Sequence, residues 1–234
     1  MLELQPNLLW TDYESMSVLG LPLGRRVAIA HGAAGELLVF SPLKLSASTE
    51  AELKKLGSIA AFVLPNRVHD LSYDQYFTAF SNSRFLAGPA SIADHPTWPL
   101  TRIQADLPEL QGFSYELLQG MPRVQEHLFL HHASRTLIIA DALFNLPVSR
   151  IWWQRILMNI ADMGGKPRPS RLFQSMIRSR TDFSTSLGKI FEWDFDRIIP
   201  CHGDVIETGG KAVFQNVFEW FLEGKNKKQQ RQQQ

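Results

Sequence analysis

Three short apolar runs constrain the fold of this chain more than any other feature. They span residues 59–64, 136–140 and 195–199, and each has the length and composition of a buried strand. Helical signals lie before and between the runs. Residues 48–57, for example, begin with a capping serine and early acids and end with lysines and a glycine. The order predicts buried strands that are interleaved with helices.

The last apolar run leads into the segment Pro200-Cys201-His202-Gly203. Pro200 stops the hydrogen bonding of a strand, and Gly203 allows the backbone to turn sharply. His202 is therefore expected at the rim of a sheet on a stiff support. Proteins present metal ligands and catalytic bases in this way, although a histidine in a turn can also simply bond to the backbone.

The other two runs are also followed by residues that can ligate metal. His69 and Asp70 come after the first run, and Asp141 directly follows the second. Loops that follow strands at one sheet edge assemble the sites of α/β proteins, and imidazole with carboxylate suits Zn, Fe or Mn. The alternative for Asp70 is a helix cap, and for Asp141 a turn acid.

The length of 234 residues fits one large domain, predicted over residues 1–224. Residues 225–234 contain Lys, Gln, Arg and one Asn, with no apolar face, and are predicted to be a disordered tail. The net charge is +1, which offers no overall electrostatic reason to bind nucleic acid or an anionic membrane. The expected partner is therefore a small molecule.

Cys201 is the one cysteine of the chain, so an internal disulfide and a cysteine-based zinc site are not expected. Its place beside a buried strand favours packing over a role as a nucleophile. The first residues show no signal-peptide pattern, and no apolar run is long enough to span a bilayer. A reducing, cytoplasmic compartment is the expectation.

One helical segment is rich in aromatic residues. Apolar residues recur at helical spacing from Ile151 to Ile160, which predicts that Trp152 and Trp153 belong mostly to the core. An unpaired face of Trp153 would instead line an apolar pocket or a dimer contact. The basic residues that follow are predicted to be a solvated helix face; they are Arg168, Arg171, Arg178 and Arg180.

The chain resembles the metallo-β-lactamase superfamily, and most of all an uncharacterised, divergent branch of it. The resemblance is carried by residues 198–204, by the strand that ends in Asp141 and by the segment Leu64-Pro65-Asn66. It implies an α/β fold, a four-layer αββα sandwich, with a site for one or two metal ions along one edge of the sheets. It further implies that Asp141 and His202 are ligands.

The chain departs from the family in its first motif, which is normally His-x-His-x-Asp-His. Here residues 66–71 are Asn-Arg-Val-His-Asp-Leu, so Asp70 falls on the family's Asp and the three histidines are missing. His69 lies between the expected positions and could still reach a metal. The third family ligand is a histidine before the Asp strand, for which Glu126 and His127 remain alternatives.

Two functions follow as hypotheses. The first is a hydrolase of an ester, thioester, lactone or phosphoester, in which at most one divalent ion is held by His69, Asp70, Asp141 and His202. Such an ion lowers the pKa of a bound water, with His202 and Asp70 as catalytic residues and Asp70 as the alternative base. The second is a non-catalytic scaffold that binds a ligand or a protein. In a scaffold, His69 would point away from Asp141 and His202, and Arg67 would fill the cleft.

Overall fold

A computed structural model of the chain describes residues 1–219 and 221. The predicted tail at residues 225–234 lies outside the described residues. The strands, in chain order, are β1 (Leu2–Gln5), β2 (Leu9–Glu14), β3 (Ser17–Val18), β4 (Leu21–Pro22), β5 (Arg25–His31), β6 (Leu37–Phe40), β7 (Ile59–Leu64), β8 (Arg84–Ala87), β9 (Leu100–Arg102), β10 (Phe113–Leu117), β11 (His127–His131), β12 (Thr136–Ile139) and β13 (Arg197–Pro200). The helices are α1 (Ala47–Leu56), α2 (Gln75–Ala79), α3 (Pro89–Asp94), α4 (Trp152–Ala161), α5 (Arg171–Ser175) and α6 (Arg180–Phe191), and residues 210–219 are also helical.

Two sheets contain most of the strands. The larger has the order β1-β2-β5-β6-β7-β8-β9, antiparallel as far as β6 and parallel beyond it. The smaller has the order β10-β11-β12-β13, and its last pair is parallel. Strands β3 and β4 form a separate hairpin. The loops after β12 and β13 therefore leave the smaller sheet at the same edge.

The larger sheet separates two apolar clusters, because alternate residues of a strand face opposite sides. In β7, Ala61 and Val63 belong to the cluster that also contains Phe129, Ile138 and Ile199 of the smaller sheet. The remaining alternate residues of the sheet pack outward against α1 and α2; they include Val27, Ile29, Phe62 and Leu64, with Leu53 and Tyr76 from the helices. The sheets thus face each other across a shared core.

The smaller sheet is covered on its other side by helices. Leu137 and Ile139 of β12 and Ile198 of β13 pack against α5, α6 and the helix at 210–219. The helical side contributes buried aromatic and aliphatic residues; they are Phe173, Phe183, Leu187, Ile190, Phe214 and Phe218. Together the clusters make the four-layer αββα sandwich, which confirms the predicted fold class.

The three strands that anchored the sequence analysis are present with shifted bounds. The first run coincides with β7, and the second forms β12 up to Ile139. The third begins later than predicted, at Arg197, and includes Pro200, which is in register with Ile139. Proline is tolerated there because β13 is an edge strand and Pro200 is its last residue. No helix among the described residues could span a bilayer.

The expectation that Trp152 and Trp153 belong to the core is wrong. Trp152 is 65% exposed and Trp153 is 39% exposed. Helix α4 instead packs through the opposite side, where Met158 is buried and the Gln154 amide donates to the carbonyl of Gly20 at 2.9 Å. Helical periodicity identified the apolar side of α4, but the packing contacts of the helix come from its other side.

Candidate metal centre

Asp141 lies at the centre of a cluster built from three strand ends. It follows β12, and its carboxylate oxygens lie 3.2 Å from Nε2 of His69 and 3.3 Å from Nε2 of His202. His69 comes from the loop after β7, and His202 follows β13. The structure therefore brings together three of the four predicted ligands, at the sheet edge where they were expected.

The two imidazoles and the carboxylate stabilise one another's charged forms. Burial opposes ionisation of Asp141, but the facing His69 and His202 outweigh it and hold the pKa of this carboxyl well below its usual range. Burial likewise disfavours protonated His69, yet Cys201 and Asp141 raise its pKa well above the usual value. The same two groups also outweigh burial at His202 and raise its pKa. The buried side chains thus favour one another's charged forms.

His202 is held in one orientation by its surroundings. Its Nδ1 donates to the carbonyl of Gly24 at 2.7 Å, because a carbonyl can only accept, and this leaves Nε2 directed at Asp141. Phe144 stacks on the ring at a centroid distance of 4.9 Å and an interplanar angle of 7°. A backbone carbonyl on one ring nitrogen is the usual arrangement behind a metal-binding histidine.

Cys201 also belongs to this cluster, although its place beside a buried strand predicted a role in packing. Its Sγ lies 3.4 Å from Nδ1 of His69, and His69, Cys201 and His202 each offer a ligand atom within 4.8 Å of the others. Burial raises the pKa of the thiol, but His69 and His202 outweigh it and lower the pKa to about 6. The single cysteine therefore does not exclude a mixed His, Asp and Cys site. Its position next to His202 was the available signal.

Asn66, which the resemblance aligns with the first histidine of the motif, acts here as a hydrogen-bonding residue. Its side-chain amide donates to Asp141 Oδ2 at 2.8 Å, and its oxygen accepts from the Val68 amide at 2.9 Å. The first bond orients the carboxylate of Asp141. The second fixes the turn that leads to His69.

Asp70 is placed differently from its assignment as a ligand and catalytic base. Its Oδ2 lies 3.0 Å from Nε2 of His95, and the His95 ring stacks on Trp98 at a centroid distance of 3.8 Å. Among the described residues, this is the polar partner that the structure gives the Asp70 side chain. The turn after His69 directs Asp70 to a histidine at the end of α3, so the structure does not bring it to Asp141 or His202.

Glu126 and His127, the alternatives for the third family ligand, both have other environments. The fully buried carboxylate of Glu126 accepts from the amides of Ala140, Asp141 and Ala142 at 2.9–3.2 Å. It therefore holds the loop that carries Asp141. The ring of His127 packs against Gly88 instead, and burial lowers its pKa to about 4.

A cavity of about 180 Å³ opens onto the cluster. Both polar and apolar side chains line it. The lining residues are Met16, Val18, Leu23, Arg25, Val68, His69, Leu71, Asp141 and His202. A small molecule in this cavity would contact both imidazoles and the carboxylate.

The donor set fits one divalent ion. Two imidazoles, a carboxylate and a nearby thiol are the ligand types that Zn and Fe take in proteins. Both imidazoles direct Nε2 at one carboxylate, and both have a partner on Nδ1 that orients the ring. Two ions would need more ligands than this cluster provides.

Comparison with known proteins identifies the fold. No family model and no curated protein matches the sequence. The solved structure of DIM-1 metallo-β-lactamase superimposes with a TM-score of 0.61 at 12% identity, covering 93% of this chain and 94% of that one. VMB-1 gives a TM-score of 0.62 at 11% identity, with 93% and 94% covered. A putative diflavin flavoprotein fragment from Nostoc sp. PCC 7120 gives 0.62 at 12%, with 94% of each chain covered. The chain has the metallo-β-lactamase fold.

Proposed function

We propose that this protein is a metal-dependent hydrolase with a single-metal centre held by His69, Asp141 and His202. The observation that carries the proposal is the Asp141 carboxylate, which lies 3.2 and 3.3 Å from the Nε2 atoms of two buried histidines. A bound divalent ion supplies a water of lowered pKa and polarises a carbonyl or phosphoryl oxygen. Solved structures of similar fold include proteins named as metallo-β-lactamases, which supports hydrolysis as the reaction class.

The chain's own residues divide the remaining tasks. Asp141 provides negative charge for a cation, and Asn66 orients its carboxylate. Gly24 orients His202 through its carbonyl, and Glu126 holds the loop of Asp141. Each of these contacts fixes a metal-binding side chain before the ion binds. This lowers the free-energy cost of assembling the site.

The cavity suits a small ester, thioester, lactone or phosphoester. Its apolar residues exclude water from the walls, and Arg25 adds one buried positive charge. The guanidinium is tethered to the carbonyls of Leu71 and Pro42 at 3.2 and 2.7 Å. A fixed cation that lines the cavity favours a substrate that develops negative charge on oxygen during hydrolysis.

The scaffold alternative requires His69 to point away from the cluster and Arg67 to fill the cleft. His69 instead lies against Asp141. Arg67 forms a two-pronged ion pair with Asp94 at 2.6 and 2.7 Å and donates to the Pro122 carbonyl. Both observations favour the hydrolase over the scaffold.

Metal content tests the binding part of the proposal. Protein purified without chelator, then supplied separately with Zn, Fe or Mn, is expected to hold one ion per chain. A variant with Asp141→Ala and His202→Ala should lose the ion, whereas His132→Ala, which changes an exposed histidine, should retain it. The proposal fails if the unmodified chain binds none of the three metals.

Hydrolysis tests the catalytic part. The metal-loaded protein is offered one ester, one thioester, one lactone and one phosphoester, with release of acid or phosphate as the readout. At least one substrate is expected to be cleaved, and Asp141→Asn should abolish the cleavage. A chain that binds metal but cleaves no member of the panel would favour the scaffold instead.

A further inference from the structure

Helix α4 presents an apolar face to solvent, which we call the outer face of α4. It consists of Trp152, Trp153, Ile156, Leu157 and Ile160, which are 65, 39, 49, 38 and 59% exposed. At 3.6 residues per turn these five positions fall within an arc of about 140°. An exposed, contiguous face of two tryptophans and three aliphatic residues marks an interaction surface.

The outer face cannot turn inward, because the other side of the helix is anchored. Met158 is 4% exposed and belongs to a small cluster with Phe144 and Leu146. Gln154 bonds to Gly20 on one side, and its Oε1 accepts from Ser149 at 2.6 Å on the other. The packing stripe and the outer face therefore lie on opposite sides of α4.

The tip of the β3–β4 hairpin extends the same surface. Leu19 at the tip is 93% exposed. The adjacent Gly20 approaches Trp153 so closely that an added Cβ would lie 2.9 Å from its ring. On the other side of the tip, Val18 lines the cavity over the candidate metal centre. The hairpin thus contacts α4 through Gly20 and Trp153 and reaches the cavity through Val18.

Positive charge is concentrated in the segment of the chain that contains α4. Residues 149–180 contain seven basic residues and one acid, an excess of six positive charges, in a chain whose net charge is +1. The one acid, Asp162, is paired with Arg168. Arg150, two residues before α4, Arg155 within it and Lys166 after it are exposed. No other acid of this segment remains to neutralise them.

The positive charge of this segment indicates which kind of partner the surface binds. Two copies of the chain that met through α4 would bring two strongly basic segments together, which opposes association. An anionic lipid surface complements the same charges, and tryptophan beside aliphatic residues is suited to the boundary between headgroups and acyl chains. The overall charge gave no reason to expect a membrane partner, but the charge of this segment does.

We propose that the outer face of α4 and the tip of the β3–β4 hairpin form an interfacial anchor for an anionic lipid bilayer. The apolar side chains enter the headgroup region while Arg150, Arg155 and Lys166 contact lipid phosphates and carboxylates. The anchor holds the cavity mouth close to the lipid surface. The proposal rests on this surface alone and not on metal binding or hydrolysis.

Vesicle co-sedimentation of the full chain tests the anchor. Vesicles of phosphatidylcholine alone are compared with vesicles that also contain phosphatidylserine, at low and high salt. Binding is expected only with phosphatidylserine, weakening as salt is raised, and accompanied by a blue shift of tryptophan emission. A chain that remains in the supernatant with both kinds of vesicle overturns the proposal.

Matched variants locate the binding surface. Trp152→Ser with Ile156→Ser is expected to weaken vesicle binding by about tenfold or more, whereas Leu2→Ser, an equally exposed apolar residue on β1, should not. Arg150→Glu with Arg155→Glu should abolish binding, whereas Lys55→Glu with Arg123→Glu should reduce it far less. Equal binding by all variants contradicts the anchor. So does a dimer, measured by light scattering, that forms without lipid and is lost in the Trp152 and Ile156 variant.

Discussion

The Sγ atom of Cys201 lies 3.4 Å from Nδ1 of His69, whose Nε2 in turn lies 3.2 Å from Asp141 Oδ2. The imidazole therefore connects a thiol to a carboxylate across the buried cluster. Because Cys201 directly precedes His202, one short loop after β13 supplies both a ligand and the group that orients a second ligand.

Cys201→Ala should weaken metal binding by about tenfold to a hundredfold, because Nδ1 of His69 loses its partner and the ring is no longer held. Competition with a coloured chelator measures the affinity. Cys201→Ser keeps a polar atom near Nδ1. Its metal affinity should therefore lie between those of the unmodified chain and Cys201→Ala. An affinity that is unchanged in Cys201→Ala would show that the thiol does not support the centre.

Glu126→Ala should destabilise the fold and the centre together. The substitution leaves the amides of Ala140, Asp141 and Ala142 buried without their acceptor. An expected loss of about 3 kcal/mol in the free energy of unfolding follows from the cost of unpaired buried groups. Urea unfolding and metal content are measured on the same samples. Glu192→Ala, which removes an exposed acid, is the control and should change neither quantity.

Gly203→Ala should be more damaging than Gly209→Ala. Both glycines have a positive φ, +98° and +69°, which costs a side chain about 1 kcal/mol. At Gly203 an added Cβ would also overlap the carbonyl of Asn145, whereas nothing lies within 4 Å at Gly209. Thermal unfolding is expected to show the larger loss for Gly203→Ala. Equal losses would mean that the backbone after His202 is not confined by Asn145.

The buried imidazole of His127 should contribute a loss of stability in mild acid. Burial lowers the pKa of this imidazole to about 4, from 6.5, and its Nδ1 has no hydrogen-bond partner in the part of the chain that the structure describes. The unfolded chain therefore takes up a proton as the pH falls below 6.5, while the folded chain does not. At pH 5 this difference favours unfolding by about 2 kcal/mol relative to neutral pH.

Urea unfolding of His127→Leu at pH 7.5 and pH 5 measures this contribution. The variant should lose less stability between the two values than the unmodified chain. His132→Leu, at an exposed position, should behave like the unmodified chain. If His127→Leu shows the same acid sensitivity, another group is responsible for it.

Local signals in the sequence were enough to predict the main strands and two residues of the centre, Asp141 and His202. The apolar run of β7 and the turn at Gly203 are properties of neighbouring residues, and both are found where expected. Asp141 and His202 come soon after strands that end at the same sheet edge. Their proximity could therefore be predicted once the strands were recognised.

The remaining features depend on contacts between distant parts of the chain. The Asp70 side chain contacts His95, which lies 25 residues later at the end of α3. The Cys201 thiol contacts His69, which lies 132 residues earlier. The pattern of α4 identifies its apolar side, but only the contacts of Gln154 and Met158 decide which side faces solvent. No spacing in the sequence contains that information.

Anomalous diffraction from crystals of the metal-loaded protein locates the bound ion. We expect one peak per chain, about 2.0–2.2 Å from the Nε2 atoms of both His69 and His202 and from a carboxylate oxygen of Asp141. A peak at Asp70 and His95 instead, or no peak while both histidines remain bonded to Asp141, would contradict the proposed metal centre.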